Sequence, residues 1–203
     1  MNLKRNVREK VLRNFRSVVA ACVAALACAA PAFAQVGTGT TAVQEVKENA
    51  ASAHAALIKE QARKMSNSFL AGDFEGLLDA TYPKILELSG GRAKMLEVLK
   101  AEVAKWDAQK IKILSYEVGE PGEVKSAGAQ LVSVVPAEMK MEFPELFLTQ
   151  KSFMLAISAD GGKAWKFVSG ANLNEQTLKF LLPEAVGVIT LPKEVEPVIE
   201  KKP

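Results

Sequence analysis

One histidine and two cysteines limit the chemistry open to this chain. His54 lies at the margin of an apolar stripe on a predicted helix, where a general base would need an orienting carboxylate and a pocket. We therefore interpret His54 as a partly exposed helix residue. A transition-metal site would depend on carboxylates, which favour harder ions, and no loop has the spacing of a calcium site. We predict no metal and no cofactor.

Asp79 and Tyr82 form the one acid–tyrosine pair that we single out for catalysis. They are three positions apart, so two helical residues at this spacing would share a face. If both side chains point into a cavity, the pair favours a lyase or an isomerase. Without such a cavity, we assign no catalytic residue.

Four aromatic residues are candidates for lining a ligand pocket: Phe69, Tyr82, Trp106 and Tyr116. Tyrosine and tryptophan combine an apolar body with a polar tip, which suits a ligand site and equally suits the margin of a core. Both interpretations stay open.

The pattern S-x-D-x-G-x-x-W occurs once, at 158–165. Ser158 opens it, Asp160 is expected to accept hydrogen bonds from turn amides, and Gly162 to adopt a positive φ. Trp165 is expected to pack back over the turn. This spacing also occurs in the repeated Asp boxes of sialidase propellers, but a single copy excludes a propeller. We predict a structural hairpin.

The first 34 residues have the three parts of a secretory signal peptide. Residues 1–16 hold six basic side chains and one acid, and residues 17–30 are uncharged and apolar. That run is shorter than the ~20 residues needed to span a bilayer. Small residues up to Ala34 predict cleavage before Gln35. Lipid attachment at Cys22 or Cys28 is the alternative.

Cleavage would change the charge of the protein. The whole chain has 26 basic and 23 acidic residues, and the signal contains six and one of these, which leaves 20 against 22. The mature chain is then slightly acidic, so its composition gives no reason to expect nucleic-acid binding. It keeps no cysteine and no later segment apolar enough to span a membrane. We expect a periplasmic or secreted protein.

Apolar periodicity predicts helices first and strands afterwards. Residues 35–50 form a polar tether and the start of a first helix over 43–71, and further helical segments extend to Trp106. From Ile111 the period changes to two, which predicts four strands by residue 169. A last helix opens at Asn172, and residues 186–203 form an extended tail rich in proline and lysine. Residues 51–185 are predicted to form one α+β domain, its antiparallel sheet packed against the N-terminal helices.

This order of elements resembles the nuclear transport factor two-like superfamily, and most closely a group of exported bacterial proteins of that fold. The matching stretches are SFLAGDF at 68–74, KMLEVLK at 94–100 and ISADGGKAWKFVSG at 157–170. The likeness covers about residues 53–183. It implies a curved antiparallel sheet wrapped by helices into a cone, often with an apolar pocket at the open end. The superfamily's enzymes use buried carboxylate–tyrosine sets or pocket histidines that have no counterpart here.

We expect an exported, non-enzymatic module that binds a small apolar ligand or a protein partner, because the sequence lacks a recognisable catalytic set while the resemblance implies a pocket. One alternative is a lyase or isomerase that acts through Asp79 and Tyr82. Another is a homodimer with a purely structural role. A cavity that contains the Asp79–Tyr82 pair would favour the enzyme, and a filled cone would favour the dimer.

Overall fold

A computed structural model describes residues 42–171 and 173–202 of the chain, with side chains from residue 52 onward. The predicted signal peptide, both cysteines, residues 35–41 and Asn172 lie outside the described residues.

The predicted fold class is confirmed: helices precede a strongly curled antiparallel sheet that forms a half-barrel. The helices are α1 (Ala42–Leu70), α2 (Phe74–Ala80), α3 (Pro83–Leu88), α4 (Arg92–Ala108) and α5 (Glu175–Leu181), followed by a short 3-10 turn (Pro183–Ala185). The strands are β1 (Lys112–Val118), β2 (Lys125–Ala127), β3 (Gln130–Glu142), β4 (Leu146–Ser158), β5 (Lys166–Ser169) and β6 (Val198–Lys201).

Local signals place the ends of the first helices. Gly72 has φ +72° and follows the end of α1, as a glycine in the left-handed region commonly does. Asp73 then caps α2, because its Oδ1 accepts a hydrogen bond from the Gly76 N–H at 2.9 Å. Pro83 begins α3. It occupies the first turn of α3, where its missing N–H has no partner to lose.

Two thirteen-residue strands, β3 and β4, form the centre of the sheet. They pair from Leu131 opposite Ser158 to Glu142 opposite Phe147. β1 and β2 both pair with the outer edge of β3, and β5 and β6 both pair with the outer edge of β4.

Alternate residues of β4 face two different sets of helices. Met154 and Ala156 pack against Ile58, Ala62 and other residues of α1 on the concave face. The intervening side chains of β4 pack instead among residues of α5, α3 and the 3-10 turn. A third cluster, centred on Trp106, closes the end of the sheet where β3 and β4 meet. Because both faces of β4 are covered from Phe153 to Ser158, all six residues there are buried.

The turn between β4 and β5 has the hydrogen bonds expected of its sequence. Asp160 Oδ1 accepts from the Ala164 N–H (3.0 Å), the Ser158 hydroxyl (2.7 Å) and the Lys163 N–H (3.1 Å). These bonds lower the pKa of the Asp160 carboxyl, that of Ala164 most. The Trp165 indole N–H donates to the Gly162 carbonyl at 3.1 Å, so the ring lies back over the turn. The turn is therefore built from its own side chains.

His54 of α1 closes this turn from above. Its ring meets the Trp165 ring edge-on, with centroids 6.0 Å apart. It also lies so close to Gly162 that a Cβ at that position would overlap the imidazole. The histidine is half-buried, and the geometry gives it a packing contact with the hairpin.

Two neighbouring glycines in this turn give a test of that packing. Gly161 (φ +77°) has open space where a Cβ would be, whereas Gly162 (φ +92°) has His54. We expect Gly161→Ala to lower the free energy of unfolding by about 1–2 kcal/mol through backbone strain. Gly162→Ala should cost about 1–3 kcal/mol more through overpacking. Urea denaturation of both variants measures the difference, and adding His54→Ala to Gly162→Ala should recover the excess. Equal losses for the two glycines would contradict this role of His54.

Part of the C-terminal segment belongs to the sheet. β5 covers only Met154–Ile157 of β4, which leaves the edge of residues 146–149 open. β6 pairs antiparallel with that edge. Lys202 secures it, with its Nζ 2.6 Å from Glu142 Oε1 and 5.3 Å from the Phe147 ring centre. The tail thereby covers backbone groups that would otherwise form an unpaired strand edge.

Candidate ligand cavity

A cavity of about 220 Å³ lies between the concave face of the sheet and the helices. α1 contributes Met65 and Phe69, α4 contributes Leu99 and Trp106, and further apolar side chains come from α2, α3 and α5. Its volume is below the ~300–1,000 Å³ of sites for drug-sized ligands, so the cavity suits a smaller molecule.

Charge is missing from the lining. Among the described residues that line the cavity, the only side chain that titrates is Tyr116, and the other polar groups are serine, threonine and glutamine together with the Trp106 indole. Burying an unpaired charge in such surroundings is very costly. The cavity is therefore suited to a neutral molecule.

Three cavity residues form one row across the sheet. Tyr116 of β1 lies opposite Met139 of β3, which in turn lies opposite Gln150 of β4. Side chains in such a row project from the same face of a sheet, and neighbouring strands are ~4.8 Å apart. Tyr116 and Gln150 thus enter the cavity from either side of the Met139 thioether.

Among residues 42–171 and 173–202, the Tyr116 hydroxyl has no hydrogen-bond partner. Its ring packs edge-on against Phe69, with centroids 6.1 Å apart, and Phe69 packs in the same way against Trp106 at 6.4 Å. No described residue forms a hydrogen bond with the hydroxyl, yet the oxygen is not sealed from a water-sized probe. Burial raises the pKa of Tyr116 to about 12.

The raised pKa of Tyr116 makes the free energy of unfolding depend on pH in the alkaline range. The folded protein keeps the Tyr116 proton up to a pKa of about 12, whereas the unfolded chain loses it near 10. The contribution of the protonated Tyr116 to the free energy of unfolding is complete below pH 10 and is lost as the pH rises towards 12. At 1.36 kcal/mol per pKa unit, wild type should lose about 2–3 kcal/mol relative to Tyr116→Phe across that range. Urea titrations of both proteins between pH 9 and 11.5 measure the difference. Parallel curves would contradict the burial of this hydroxyl.

Gln150 connects the cavity to the C-terminal segment. Its Nε2 donates to the Lys151 carbonyl at 2.7 Å and to the Val195 carbonyl at 2.9 Å, which uses both of its N–H groups. Its Oε1 accepts no hydrogen bond from any described residue and, like the tyrosine hydroxyl, is reachable by a water-sized probe. Gln150 is only 7% exposed, so this free acceptor belongs to the interior.

A larger groove of about 730 Å³ adjoins the cavity. Four residues line both spaces: Gln150, Ser152, Ala171 and Leu173. Residues 186–195 of the C-terminal segment form one wall of the groove, and the start of α5 forms the other. The groove and the cavity therefore share part of their walls.

Three of the four predicted pocket residues come together. Phe69, Trp106 and Tyr116 all line the cavity, and their rings are in contact. Tyr82 does not line it. The Tyr82 ring packs in the cluster on the other side of β4, and its hydroxyl lies 3.4 Å from the Gln130 side-chain nitrogen. That a ligand binds among the other three stays a prediction.

The predicted Asp79–Tyr82 pair does not form. α2 ends at Ala80, and the Tyr82 N–H donates to the Phe167 carbonyl, so the two residues share no helix face. Asp79 is exposed and forms an ion pair with Arg92 at 2.7 Å. Neither residue lines the cavity.

Gln150, Met139 and Ser152 are cavity residues that were not predicted from the sequence. Gln150 adjoins Lys151, and its polarity suggests the solvent face of a strand. The available signal was spacing. Gln150 and Ser152 lie four and two positions before Met154, and residues two apart on a strand share a face.

Within residues 42–171 and 173–202, no helix is long and apolar enough to cross a membrane. The same residues contain no group of three or more His, Asp or Glu side chains placed to hold a metal ion. No protein-family model, curated protein or solved structure matches this chain.

Proposed function

We propose that this chain is an exported, non-enzymatic binding module that holds a small, uncharged, apolar molecule in the cavity between its sheet and helices. The observation that carries the proposal is the lining itself, which is apolar, contains no charged side chain among the described residues, and has a few polar groups without partners. Small-molecule sites commonly combine an apolar lining with a few placed polar groups.

Export is the second part of the proposal. It is supported by the composition of residues 1–34, where a basic stretch, a short apolar run and small residues succeed one another. The resemblance to the nuclear transport factor two-like superfamily supports the cone pocket in the same way.

Native mass spectrometry of the protein, purified from the envelope fraction of cells that export it, tests this proposal. We expect a fraction of the protein to carry a single organic adduct, and the intact mass to show loss of residues 1–34. A variant with a filled cavity, Leu99→Trp, should carry no adduct. An adduct that persists in this variant would place the ligand elsewhere. A protein that forms a tight complex with a polypeptide, and never with a small molecule, would favour a protein-interaction module.

A further inference from the structure

We infer that the ligand of the cavity is a neutral hydroxyl compound, a small apolar alcohol or phenol whose hydroxyl group pairs with the Tyr116 hydroxyl and the Gln150 side-chain oxygen. The inference rests on the proposed function and specifies the chemical class that the cavity selects. It starts from two polar atoms at the cavity wall, the Tyr116 hydroxyl and Gln150 Oε1, which have no hydrogen-bond partner among the described residues and are reachable by a water-sized probe.

Unpaired polar atoms inside a protein raise the free energy of any complex that leaves them dry. A hydrocarbon ligand would displace water from the cavity and give neither atom a partner. The cost falls on both Tyr116 and Gln150, because both project into the same space from one cross-strand row.

The donor and acceptor inventory of the two side chains selects a hydroxyl. Both N–H groups of Gln150 are used by the Lys151 and Val195 carbonyls, so only its Oε1 remains, and that atom can only accept. The Tyr116 hydroxyl can donate. A ligand hydroxyl can accept from Tyr116 and donate to Gln150, whereas a ketone or an ether oxygen can satisfy only Tyr116.

Charged ligands fit the site poorly. A carboxylate would find the Tyr116 hydroxyl, but no described cationic side chain lines the cavity, and the carboxylate has no proton to offer Gln150. An ammonium group would find no described carboxylate. Two of the α4 cations that adjoin cavity residues in sequence are engaged in ion pairs: Lys94 with Glu97 and Lys105 with Glu102.

The test compares ligands of one shape. Naphthalene, 2-naphthol and 2-naphthoate share two fused rings and differ in one substituent, and their dissociation constants for the mature protein are measured by titration calorimetry at pH 7. We expect 2-naphthol to bind about tenfold to a hundredfold more tightly than naphthalene, because it pairs two otherwise unsatisfied groups. The anion 2-naphthoate should bind more weakly than 2-naphthol.

Two variants assign this preference to the named atoms. Tyr116→Phe keeps the ring and removes the hydroxyl, and Gln150→Met keeps the side-chain length and removes the oxygen. Each should reduce the ratio of the two dissociation constants towards one while naphthalene still binds. Tyr82→Phe is the matched control, because Tyr82 lies outside the cavity, and it should keep the wild-type ratio.

The outcomes separate the two proposals. Equal binding of naphthalene and 2-naphthol to wild type, an unchanged ratio in Tyr116→Phe, or tighter binding of 2-naphthoate would overturn the hydroxyl inference and leave the apolar site standing. Failure of all three compounds to bind would overturn the proposed function and the hydroxyl inference with it.

Discussion

Replacing Ser152 with phenylalanine is expected to weaken ligand binding about a hundredfold while the protein stays folded. Ser152 lines the cavity from the centre of β4, and none of the described residues is hydrogen-bonded to its hydroxyl. A phenyl ring there would occupy the space of the ligand. Denying the ligand roughly 120 Å² of apolar burial, at about 25 cal/mol per Å², weakens binding by about 3 kcal/mol or a hundredfold. Titration calorimetry with 2-naphthol measures the loss.

A matched substitution on the neighbouring strand controls for the added ring. Lys140 of β3 is exposed and follows the cavity residue Met139, so Lys140→Phe places the same ring outside both the cavity and the groove. This variant should bind 2-naphthol as wild type does. If Ser152→Phe unfolds the protein, Leu99→Trp fills the same cavity from α4 and replaces it in the test. A filled variant that is folded and still binds at wild-type strength would contradict the assignment of the site.

Trp165→Ala is expected to have the largest effect on stability. The side chain is 2% exposed, its indole N–H donates within the turn, and its ring contacts His54. Its backbone N–H also donates to the Gln61 side-chain oxygen at 2.8 Å, which joins the hairpin to α1. Truncating a buried tryptophan costs about 3–5 kcal/mol. The whole free energy of unfolding of a domain is about 5–15 kcal/mol, so urea denaturation should show a large shift of the midpoint.

Trp165→Phe separates packing from hydrogen bonding at the same position. It keeps an aromatic ring but leaves the Gly162 carbonyl without the indole donor, so we expect a loss of about 1–3 kcal/mol. If Trp165→Ala costs no more than Trp165→Phe, the ring contributes little to the free energy of unfolding. Its packing against α1 then does not stabilise the hairpin.

Periodicity predicted helices followed by an antiparallel sheet, because the change from helical to alternating spacing at Ile111 reports which faces are buried. It did not predict the short strands β2 and β6. Fine boundaries needed tertiary information. Pro136 lies inside β3, although proline inside a sheet is normally confined to edges and bulges. The Pro136 carbonyl accepts a hydrogen bond from the Gly119 N–H, just after β1 ends. The Pro136 nitrogen points to the same side of the strand and so faces the gap between β1 and β2, where no ladder hydrogen bond is lost.

The candidate site was only partly predictable. Phe69, Trp106 and Tyr116 could be named from their side-chain chemistry, but nothing in the sequence says that three aromatic residues on separate elements meet. Asp79 and Tyr82 share no helix face because α2 ends at Ala80, between them. Thr81 and Tyr82 pair instead with the backbone of Phe167 in β5. Gln150 was overlooked because a buried glutamine beside an exposed lysine is indistinguishable from a surface residue until the curvature of the sheet is known.

The central claim is that an uncharged apolar molecule occupies the space between Tyr116 and Trp106. Anomalous diffraction from crystals of the protein exposed to iodobenzene tests it most directly, because the iodine marks its own position. We expect one strong iodine peak inside the cavity, beside Met139, and no such peak in Ser152→Phe crystals. Iodine found only on the protein surface, with the cavity of the wild-type crystals unoccupied by the probe, would contradict the account.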